Sequence, residues 1–347
     1  QVEYPGPGGD ACLVTSRSTY NRQVRWPGAR ILKLGMMFPG QGSQSIGMLA
    51  TLADAESVVG DTFAEASDVL GYDLWRLCQQ GPEEQLAETE RTQPAMLAAG
   101  VAVWRAWQRR GGAAPAMMAG HSLGEYSALV CAGAIEFRAA TELVRLRGQA
   151  MQRAVPAGAG AMAAILGLDD AVIEAACVES AQGEVVQPVN YNSPGQLVVA
   201  GTAAAVARVI ENCKARGAKR AVLLPVSVPS HSALMKPAAD EMRERLRALA
   251  VRAPAIRVYA FDGGLHDSPA AIRDGLYRQL FNPVRWSAIV AAMIAAGAQQ
   301  LIECGPGKVL AGLARRIPGG RDLTINAIDG ADTLQAALTA ATGGDNG

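Results

Sequence analysis

The chain has 347 residues, of which 50% are hydrophobic and 18% are charged. Basic and acidic residues number 32 each, so the formal net charge is zero and no global field attracts nucleic acid or a membrane surface. With 38 glycines and no apolar run near the roughly 18 residues of a membrane span, the composition is typical of a globular α/β protein, not a disordered or fibrous one.

The spacing of the cysteines indicates their oxidation state and whether they bind a metal. The six cysteines are far apart and show neither C-x-x-C nor metal-type spacing. We interpret them as reduced thiols of a cytoplasmic protein without a metal site.

Residues 1–30 mix proline, glycine and arginine and lack the apolar segment of a signal peptide, so we predict a loose extension there.

The predicted elements begin with an apolar strand at 30–38, followed by a tight loop that contains Gln41. Residues 45–70 have helical spacing. Residues 92–110 predict a helix, because apolar residues recur at i, i+3 and i+4 and arginines end the run. The run APAMMAG at 114–120 predicts a second buried strand, with another helix after it. This alternation predicts a layered α/β domain with a largely parallel sheet.

From about residue 158 the pattern changes to a β-α-β-β-α-β order over roughly 70 residues, the split βαβ pattern of ferredoxin-like folds. The chain then returns to alternating helices and strands, ending on a late strand and loop. We therefore predict two subdomains. Residues 31–157 and 227–340 form a large α/β-hydrolase-like subdomain with a mostly parallel sheet, and residues 158–226 form a small inserted ferredoxin-like subdomain.

The segment GHSLG places Ser122 between Gly120 and Gly124, after a predicted strand and before a predicted helix. Strand, G-x-S-x-G and helix together form a nucleophile elbow, whose turn is too tight for side chains on either flank. The turn presents the serine hydroxyl at the start of a helix, where backbone N–H groups favour an anion. The pattern predicts that Ser122 is a nucleophile.

A serine nucleophile needs a base, and the chain has three histidines. His121 precedes Ser122 on the turn, so we expect its side chain to point away from the hydroxyl and to contact the pocket wall. His266 lies in a polar loop, where we expect a surface residue. His231 follows a predicted strand and a proline turn, and elimination makes it the predicted base.

Seven segments together resemble the malonyl-CoA:acyl carrier protein transacylases, discrete bacterial enzymes related to polyketide synthase acyltransferase domains. The resemblance runs from about residue 30 to about residue 340. It implies a ping-pong reaction of fatty-acid biosynthesis, in which a malonyl-serine passes malonyl from malonyl-CoA to the phosphopantetheine thiol of acyl carrier protein. The segments, in chain order, are FPGQGSQ, TQPAMLAA, GHSLGEYSALV, LVRLRGQAMQ, NSPGQLVVAG, VSVPSHSALMKPAAD and GPGKVL.

The resemblance also implies roles for matching residues. Ser122 is the acylated nucleophile and His231 its general base and acid, while Gln41 and the Leu123 N–H stabilise the oxyanion. Arg147 binds the malonyl carboxylate, and Arg145, two residues away on the same predicted helix, faces another side. Further contacts are implied for Gln93 and His121 with the substrate, and for Gln196, Lys219 and Arg220 with coenzyme A.

The same resemblance implies no cofactor, because the coenzyme A thioester and the carrier's phosphopantetheine are substrates. It implies an acidic carrier protein as partner, for which the basic run at 213–221 is a candidate docking site, and we expect a monomer.

One departure from the family pattern concerns the main-chain carbonyl that orients the histidine. The family commonly has asparagines where this chain has Tyr259 and Ala260, so the residue that supplies the carbonyl is open, and Asp262 is a nearby candidate carboxylate.

Several alternatives remain open at this point. A stand-alone malonyl transferase of a polyketide pathway would share these motifs, and a preference for methylmalonyl changes binding by only about 1 to 3 kcal/mol. A serine hydrolase or thioesterase would share the elbow but has no need of Arg147. A non-catalytic scaffold that keeps the fold would share the sequence pattern without the reaction.

Overall fold

The computed structural model describes residues 33–226 and 228–342, so the extension predicted for residues 1–30 lies outside the described residues. The described strands are β1 (Leu34–Phe38), β2 (Met117–Gly120), β3 (Gly160–Leu166), β4 (Val186–Ser193), β5 (Gln196–Thr202), β6 (Arg220–Leu223), β7 (Arg257–Tyr259), β8 (Gln300–Cys304) and β9 (Thr324–Ile328).

The described helices are α1 (Ala50–Ala55), α2 (Ser57–Leu70), α3 (Leu74–Gln80), α4 (Glu83–Ala87), α5 (Thr89–Arg109), α6 (Gly124–Cys131), α7 (Phe137–Ala154), α8 (Asp170–Ala181), α9 (Ala203–Ala215), α10 (Lys236–Ala248), α11 (Pro269–Gln279), α12 (Trp286–Ala295), α13 (Val309–Ala314) and α14 (Ala331–Ala341). Two short 3-10 helices lie at Ala233–Met235 and Gly320–Asp322.

The large sheet is parallel and has the strand order β7-β2-β1-β8-β9. All five residues of β1 are buried, as expected for a strand covered by helices on both faces, and the continuous apolar run LGMMF has the composition that such a strand needs. β1 and β2 are neighbours in register, with Phe38 opposite Gly120. The carboxyl ends of both strands therefore meet at one edge of the sheet, which is where the elbow begins.

Three helices next to this edge position the site. The 21-residue helix α5 begins three residues before the predicted start, and most of its residues are buried. Helix α6 follows the elbow directly and buries seven of its eight residues. Helix α7 buries Ala140, Val144, Arg147 and Met151, spaced at i, i+4, i+7 and i+11, so a single arginine lies on an otherwise apolar face.

The small sheet is antiparallel and has the order β4-β5-β3-β6. In chain order these strands are the second, third, first and fourth of the β-α-β-β-α-β unit, which is the ferredoxin-like arrangement. The predicted fold class, a mostly parallel sheet plus a small ferredoxin-like insertion, is confirmed. Main-chain hydrogen bonds between Val284 and both Val189 and Tyr191 join β4 to the segment before α12. The predicted residue boundaries of the two subdomains stay a prediction.

The carboxyl-terminal part contains more structure than the sequence predicted. After the expected strand β8, the loop leads into helix α13, and β9 then adds to the edge of the large sheet before α14. Five cysteines of the described residues, Cys78, Cys131, Cys177, Cys213 and Cys304, are buried free thiols. Within residues 33–226 and 228–342, every helix is too short or too polar to cross a membrane.

Candidate active site

Ser122 lies on the turn between β2 and α6 in a left-handed conformation, with φ of 53°. Such a conformation costs a residue with a side chain on the order of 1–3 kcal/mol, and it recurs at functional sites. The flanking glycines explain how the turn closes. A Cβ on Gly120 would lie 1.9 Å from the carbonyl carbon of Gly124, and a Cβ on Gly124 would lie 2.0 Å from the carbonyl oxygen of Phe38. Only glycine fits at both positions.

His231 contacts the serine directly, although 109 residues separate the two in the chain. Its Nε2 lies 2.7 Å from Ser122 Oγ, and its Nδ1 lies 2.7 Å from the main-chain oxygen of Gln279. Because a carbonyl oxygen only accepts, Nδ1 carries the proton, and Nε2 is left to accept the serine O–H. His231 also has a positive φ, 65°, so the backbone is strained at both members of the pair.

Burial and charge keep the imidazole of His231 neutral. Its side chain is almost fully buried, and this burial is the main reason that its pKa falls from 6.5 to about 3. The positive charge of Arg147 lowers the pKa further, while the hydrogen bond to Gln279 opposes the shift. A neutral imidazole that accepts the serine proton is the state a general base requires.

The residues predicted to stabilise an oxyanion lie beside this pair. The N–H groups of Gly124 and Glu125 donate to the carbonyl oxygens of His121 and Ser122, whereas the N–H of Leu123 has no acceptor in the described part of the chain. The Gln41 side chain lines the same cavity, and its Nε2 lies 3.4 Å from Thr89 Oγ1, a long hydrogen bond. Both groups can donate to a bound ligand.

The cavity at the pair has a volume of about 100 Å³. Its polar lining includes the serine, the imidazole and a guanidinium, and its apolar lining consists of aliphatic and thioether side chains from α7, β3 and the segment before His231. The lining residues are Gln41, His121, Ser122, Leu123, Arg147, Met151, Met162, Asn190, Leu224, Val226, Val228, Ser230 and His231.

Arg147 supplies the guanidinium and is 1% exposed. Its two terminal nitrogens each donate to a neutral amide, Nη1 to Gln93 Oε1 and Nη2 to Gln279 Oε1, both at 2.9 Å. Its guanidinium lies 5.4 Å from the centre of the Tyr126 ring, and burial lowers its pKa. A buried cation held by neutral groups gains most from an anionic ligand. Arg145 is half-buried and does not line the cavity.

The other two histidines differ from each other. His121 was predicted to contact the pocket wall, and in the structure it lines the cavity. Its Nε2 lies 2.9 Å from Asn192 Oδ1. The prediction that His266 is a surface residue was wrong. It is 2% exposed, and its Nε2 lies 2.6 Å from Oε1 of the buried Glu125. The polar sequence around it gave no sign of this partner in helix α6.

The carbonyl that orients His231 comes from Gln279, which the sequence analysis missed. Tyr259 and Ala260 do not supply it, and Asp262 instead accepts from Gly264 N and the guanidinium of Arg278. The sequence does contain a signal that could have identified Gln279. Gln279 follows Ile272, Gly275 and Leu276 on the buried face of α11, where a polar side chain is unusual.

Asn190 was also missed. It lines the cavity, and its buried Oδ1 has no hydrogen-bond partner within the described residues. Gln93, predicted to bind the substrate, does not line the cavity but accepts a hydrogen bond from Arg147.

The residues predicted to contact coenzyme A lie apart from the catalytic pair. Leu166 of β3 is opposite Gln196 on one side and Arg220 on the other, so these two residues share one row of the small sheet, and Lys219 is adjacent. None of the three lines the cavity. Gln196 Oε1 accepts from Arg316, 2.8 Å away, a cation at this edge that the sequence did not reveal.

The basic run predicted to dock a carrier protein is partly neutralised. Lys214 pairs with Glu211 at 2.8 Å, and Arg216 pairs with Glu179. Lys219 and Arg220 are exposed at the end of the run. Any attraction of this run for an acidic surface therefore depends mainly on the last two residues.

Comparison with known proteins places this geometry in a family. Residues 36–317 match the acyl transferase domain family. The malonyl CoA-acyl carrier protein transacylase of Escherichia coli strain K12 is 57% identical over 307 residues, covering 88% of this chain and 99% of that protein. The transacylase of the same name from Bacillus subtilis is 42% identical over 308 residues, covering 88% and 96%.

Solved structures agree. A crystal structure of an acyl carrier protein S-malonyltransferase from Vibrio cholerae superposes with a TM-score of 0.85 at 58% identity, covering 88% of this chain and 99% of that chain. A malonyl-transacylase in complex with its type II PKS acyl-carrier protein superposes with a TM-score of 0.87 at 57% identity, covering 89% and 99%.

Proposed function

The chain belongs to the acyl transferase family, among the malonyl-CoA:acyl carrier protein transacylases, and on that premise we propose that Ser122 carries the malonyl group between the two thiols of the reaction. The enzyme transfers malonyl from malonyl-CoA to acyl carrier protein in fatty-acid biosynthesis. One observation carries the residue assignment: the Ser122–His231 hydrogen bond and the buried guanidinium of Arg147 open into the same cavity.

In the first half-reaction, His231 Nε2 takes the proton of Ser122 Oγ as the oxygen attacks the thioester carbon. The carbonyl oxygen becomes negative and accepts from the Leu123 N–H and the Gln41 side chain. The new C–O bond remains, the C–S bond breaks, and the imidazolium returns its proton to the leaving sulfur of coenzyme A. The product of this step is a malonyl ester of Ser122.

The second half-reaction reverses these roles. The phosphopantetheine thiol gives its proton to His231 Nε2 while its sulfur attacks the ester carbon. The same two donors hold the oxyanion, the C–O bond to Ser122 breaks, and the serine oxygen takes the proton back from the imidazolium. The carrier leaves with the malonyl thioester, and the enzyme is restored.

Arg147 selects an acyl group that ends in a carboxylate. In the free enzyme its terminal nitrogens meet neutral amides and the Glu125 carboxylate is one amide away, so a malonyl carboxylate can form a direct ion pair with the guanidinium. The bound carboxylate also offsets the field that lowers the pKa of His231, and the imidazole becomes a stronger base when the correct substrate is present. Recognition therefore assists the chemistry.

The remaining assignments are proposals of the same kind. We propose that the row formed by Gln196 and Arg220, with Lys219, contacts coenzyme A, and that Lys219 and Arg220 contribute to docking the acidic carrier. We also propose a cytoplasmic monomer that uses no cofactor. Substitution of Arg220 by alanine is expected to raise KM for malonyl-CoA without changing kcat, which steady-state kinetics would detect.

The decisive experiment for the function is a product assay. The enzyme is incubated with malonyl-CoA and a holo acyl carrier protein, and the carrier is weighed by mass spectrometry. A malonylated carrier, absent with the Ser122→Ala variant, supports the transferase. Free malonate with an unloaded carrier would instead indicate the serine hydrolase or thioesterase, and an inert protein would indicate a scaffold.

The polyketide alternative is favoured by one observation. A structural relative at 57% identity is in complex with a type II PKS acyl-carrier protein. The same assay with a fatty-acid carrier and a polyketide carrier compares the two, and we expect the fatty-acid carrier to be loaded with the higher kcat/KM.

A further inference from the structure

Three buried polar side chains form a cluster in contact with Arg147 and the main chain of Ser122. We call it the acid–amide–imidazole cluster, and its members are Glu125, Gln279 and His266. Glu125 lies in the first turn of α6, Gln279 ends α11, and His266 lies in the loop before α11. Glu125 and Gln279 are 0% exposed and His266 is 2% exposed. No member lines the cavity, so none contacts the substrate directly.

The cluster is connected to Arg147 through one amide. Glu125 Oε1 lies 2.6 Å from His266 Nε2, and Glu125 Oε2 accepts from Gln279 Nε2 at 2.9 Å. The same Nε2 also donates to the main-chain oxygen of Ser122 at 2.9 Å. The other end of the amide, Gln279 Oε1, accepts from Arg147 Nη2 at 2.9 Å.

These contacts fix which way the amide of Gln279 points. A carboxylate and a main-chain oxygen only accept, so Glu125 and the Ser122 oxygen both require the NH2 end on their own side and leave the oxygen for the guanidinium. If the amide were reversed, its NH2 group would face the N–H groups of Arg147, and two buried donors would lose their acceptor. The orientation of one side chain thus determines whether Arg147 is held.

We propose that Glu125 and His266 are positioning residues for acyl-group selection: they lock the Gln279 amide in the orientation that holds Arg147 toward the malonyl carboxylate. This rests on the proposed function, in which Arg147 binds that carboxylate. His266 fixes the carboxylate through Oε1, and its ring is itself held against α11, because a Cβ on Gly275 would lie 2.5 Å from its Cε1.

A purely structural buried pair would behave differently. The carbonyl that orients His231 belongs to the main chain of Gln279 and does not turn with the amide. The main chain of Ser122 is also held by the elbow and by the Glu125 N–H, which donates to its carbonyl oxygen. Disturbing the cluster should therefore weaken recognition of the carboxylate more than it slows the serine and its base. A loss of general packing would instead slow the reaction of every acyl group alike.

The test is the single-turnover rate at which Ser122 is acylated by malonyl-CoA and by acetyl-CoA, measured by quenched intact-protein mass spectrometry. In Glu125→Gln, the new amide can donate to Gln279, so the Gln279 amide loses one of the two acceptors that fix its orientation and keeps only the main-chain oxygen of Ser122. We expect the malonyl rate to fall roughly tenfold or more and the acetyl rate to change by less than about threefold. A folded Glu125→Gln with an unchanged ratio, or with both rates reduced in parallel, would overturn the proposal.

Two further sets of variants keep the test decisive. Ser127→Ala is a matched control in the same helix, because this buried hydroxyl has no hydrogen-bond partner within the described residues and should not affect the ratio. His266→Gln keeps a donor for Glu125 and should keep the ratio, whereas His266→Leu should lower it. Equal ratios in these two variants, or failure of both Glu125→Gln and His266→Leu to fold, would mark a structural role and overturn the proposal.

Arg147→Ala in the same assay separates this inference from the proposed function. If Arg147→Ala leaves the malonyl-to-acetyl ratio unchanged, the carboxylate site itself is wrong. If it lowers the ratio and Glu125→Gln does not, only the positioning role of the cluster fails.

Discussion

Two parts of the cavity lining, which we call the reacting end and the recognition end, are held in different ways. The reacting end, Ser122 and His231, is held by the main chain: both residues have a positive φ, the elbow closes on two glycines, and a backbone carbonyl orients the imidazole. The recognition end, Arg147, is held by the side-chain amides of Gln93 and Gln279. One end depends on the fold, and the other depends on a few side chains.

This difference suggests how acyl selection can change while the chemistry is retained. A group held by backbone geometry moves only if the turn or the helix end moves. A group held by amides moves when one amide is replaced or reversed, at the cost of a few hydrogen bonds. We therefore expect substitutions at the recognition end to alter which acyl group is accepted, and substitutions at the reacting end to remove activity for all of them.

The largest effect is expected for His231→Ala. The serine loses its proton acceptor, so acylation by malonyl-CoA and by acetyl-CoA should both fall roughly 10²- to 10⁴-fold. Single-turnover mass spectrometry measures both rates. Retention of either rate within a few fold would show that another group serves as the base.

Arg147→Ala tests the recognition end and should have the next largest effect. Removing the guanidinium takes away the proposed partner of the malonyl carboxylate, so kcat/KM for malonyl-CoA should fall roughly a hundredfold while that for acetyl-CoA is maintained or rises. Arg145→Ala is the matched control, since Arg145 is on the same helix but outside the cavity lining. An unchanged acyl-CoA profile in Arg147→Ala would show that Arg147 does not select the acyl group through its carboxylate.

A pH profile tests whether the charge of Arg147 affects the pKa of His231. The imidazole of His231 has a pKa of about 3, lowered by burial and then by Arg147, so acetylation should persist well below neutral pH. In Arg147→Ala the cation is gone, the pKa of His231 rises, and the acid limb of the acetylation rate should move to higher pH, still below the ordinary imidazole range. Rates measured between about pH 2.5 and pH 8, after brief pH jumps, give this limb for both enzymes. A limb that stays in place or moves to lower pH would contradict the coupling.

The smallest effect on activity is expected away from both ends. Glu303 of β8 is buried, and its carboxylate accepts from the N–H groups of Leu310 and Ala311. Burial raises its pKa from 4.5 to about 7, so the folded state holds this proton more tightly than the unfolded state does. The free energy of unfolding should therefore decrease as pH rises from about 4.5 to about 7, by up to roughly 3 kcal/mol.

Glu303→Gln should remove most of this slope, as urea titrations at several pH values would show, and should leave the malonyl-to-acetyl ratio unchanged. A slope that persists in the variant would assign the proton to another group.

Much of the fold followed from local patterns. The strand-elbow-helix order around Ser122 and the β-α-β-β-α-β order of the insertion are fixed by short apolar runs and by glycines, which the sequence displays directly. Strand β9, five residues at the sheet edge, has no comparable signal, because its pairing with β8 is a tertiary choice. The start of α5 also differed from the predicted one.

The sequence predicted the site residues that act through their side chains, and it missed those that act through the main chain or through distant contacts. Ser122, His231 and Arg147 have residue types that suggest their roles, but Gln279 acts on His231 through a main-chain oxygen, which has no side-chain signature. His266 was misplaced because its burial depends on Glu125, 141 residues away, and not on its polar neighbours. Contacts of this range cannot be read from one sequence.

The most direct test of the account is the mass of the enzyme after brief incubation with malonyl-CoA in the absence of any carrier protein. We predict one malonyl group per chain, located by peptide mapping on Ser122, released as malonyl-carrier when a holo carrier is added, and absent in Ser122→Ala. A wild-type enzyme that loads the carrier without this adduct, or an adduct that persists in Ser122→Ala, would contradict a malonyl-serine intermediate at the elbow.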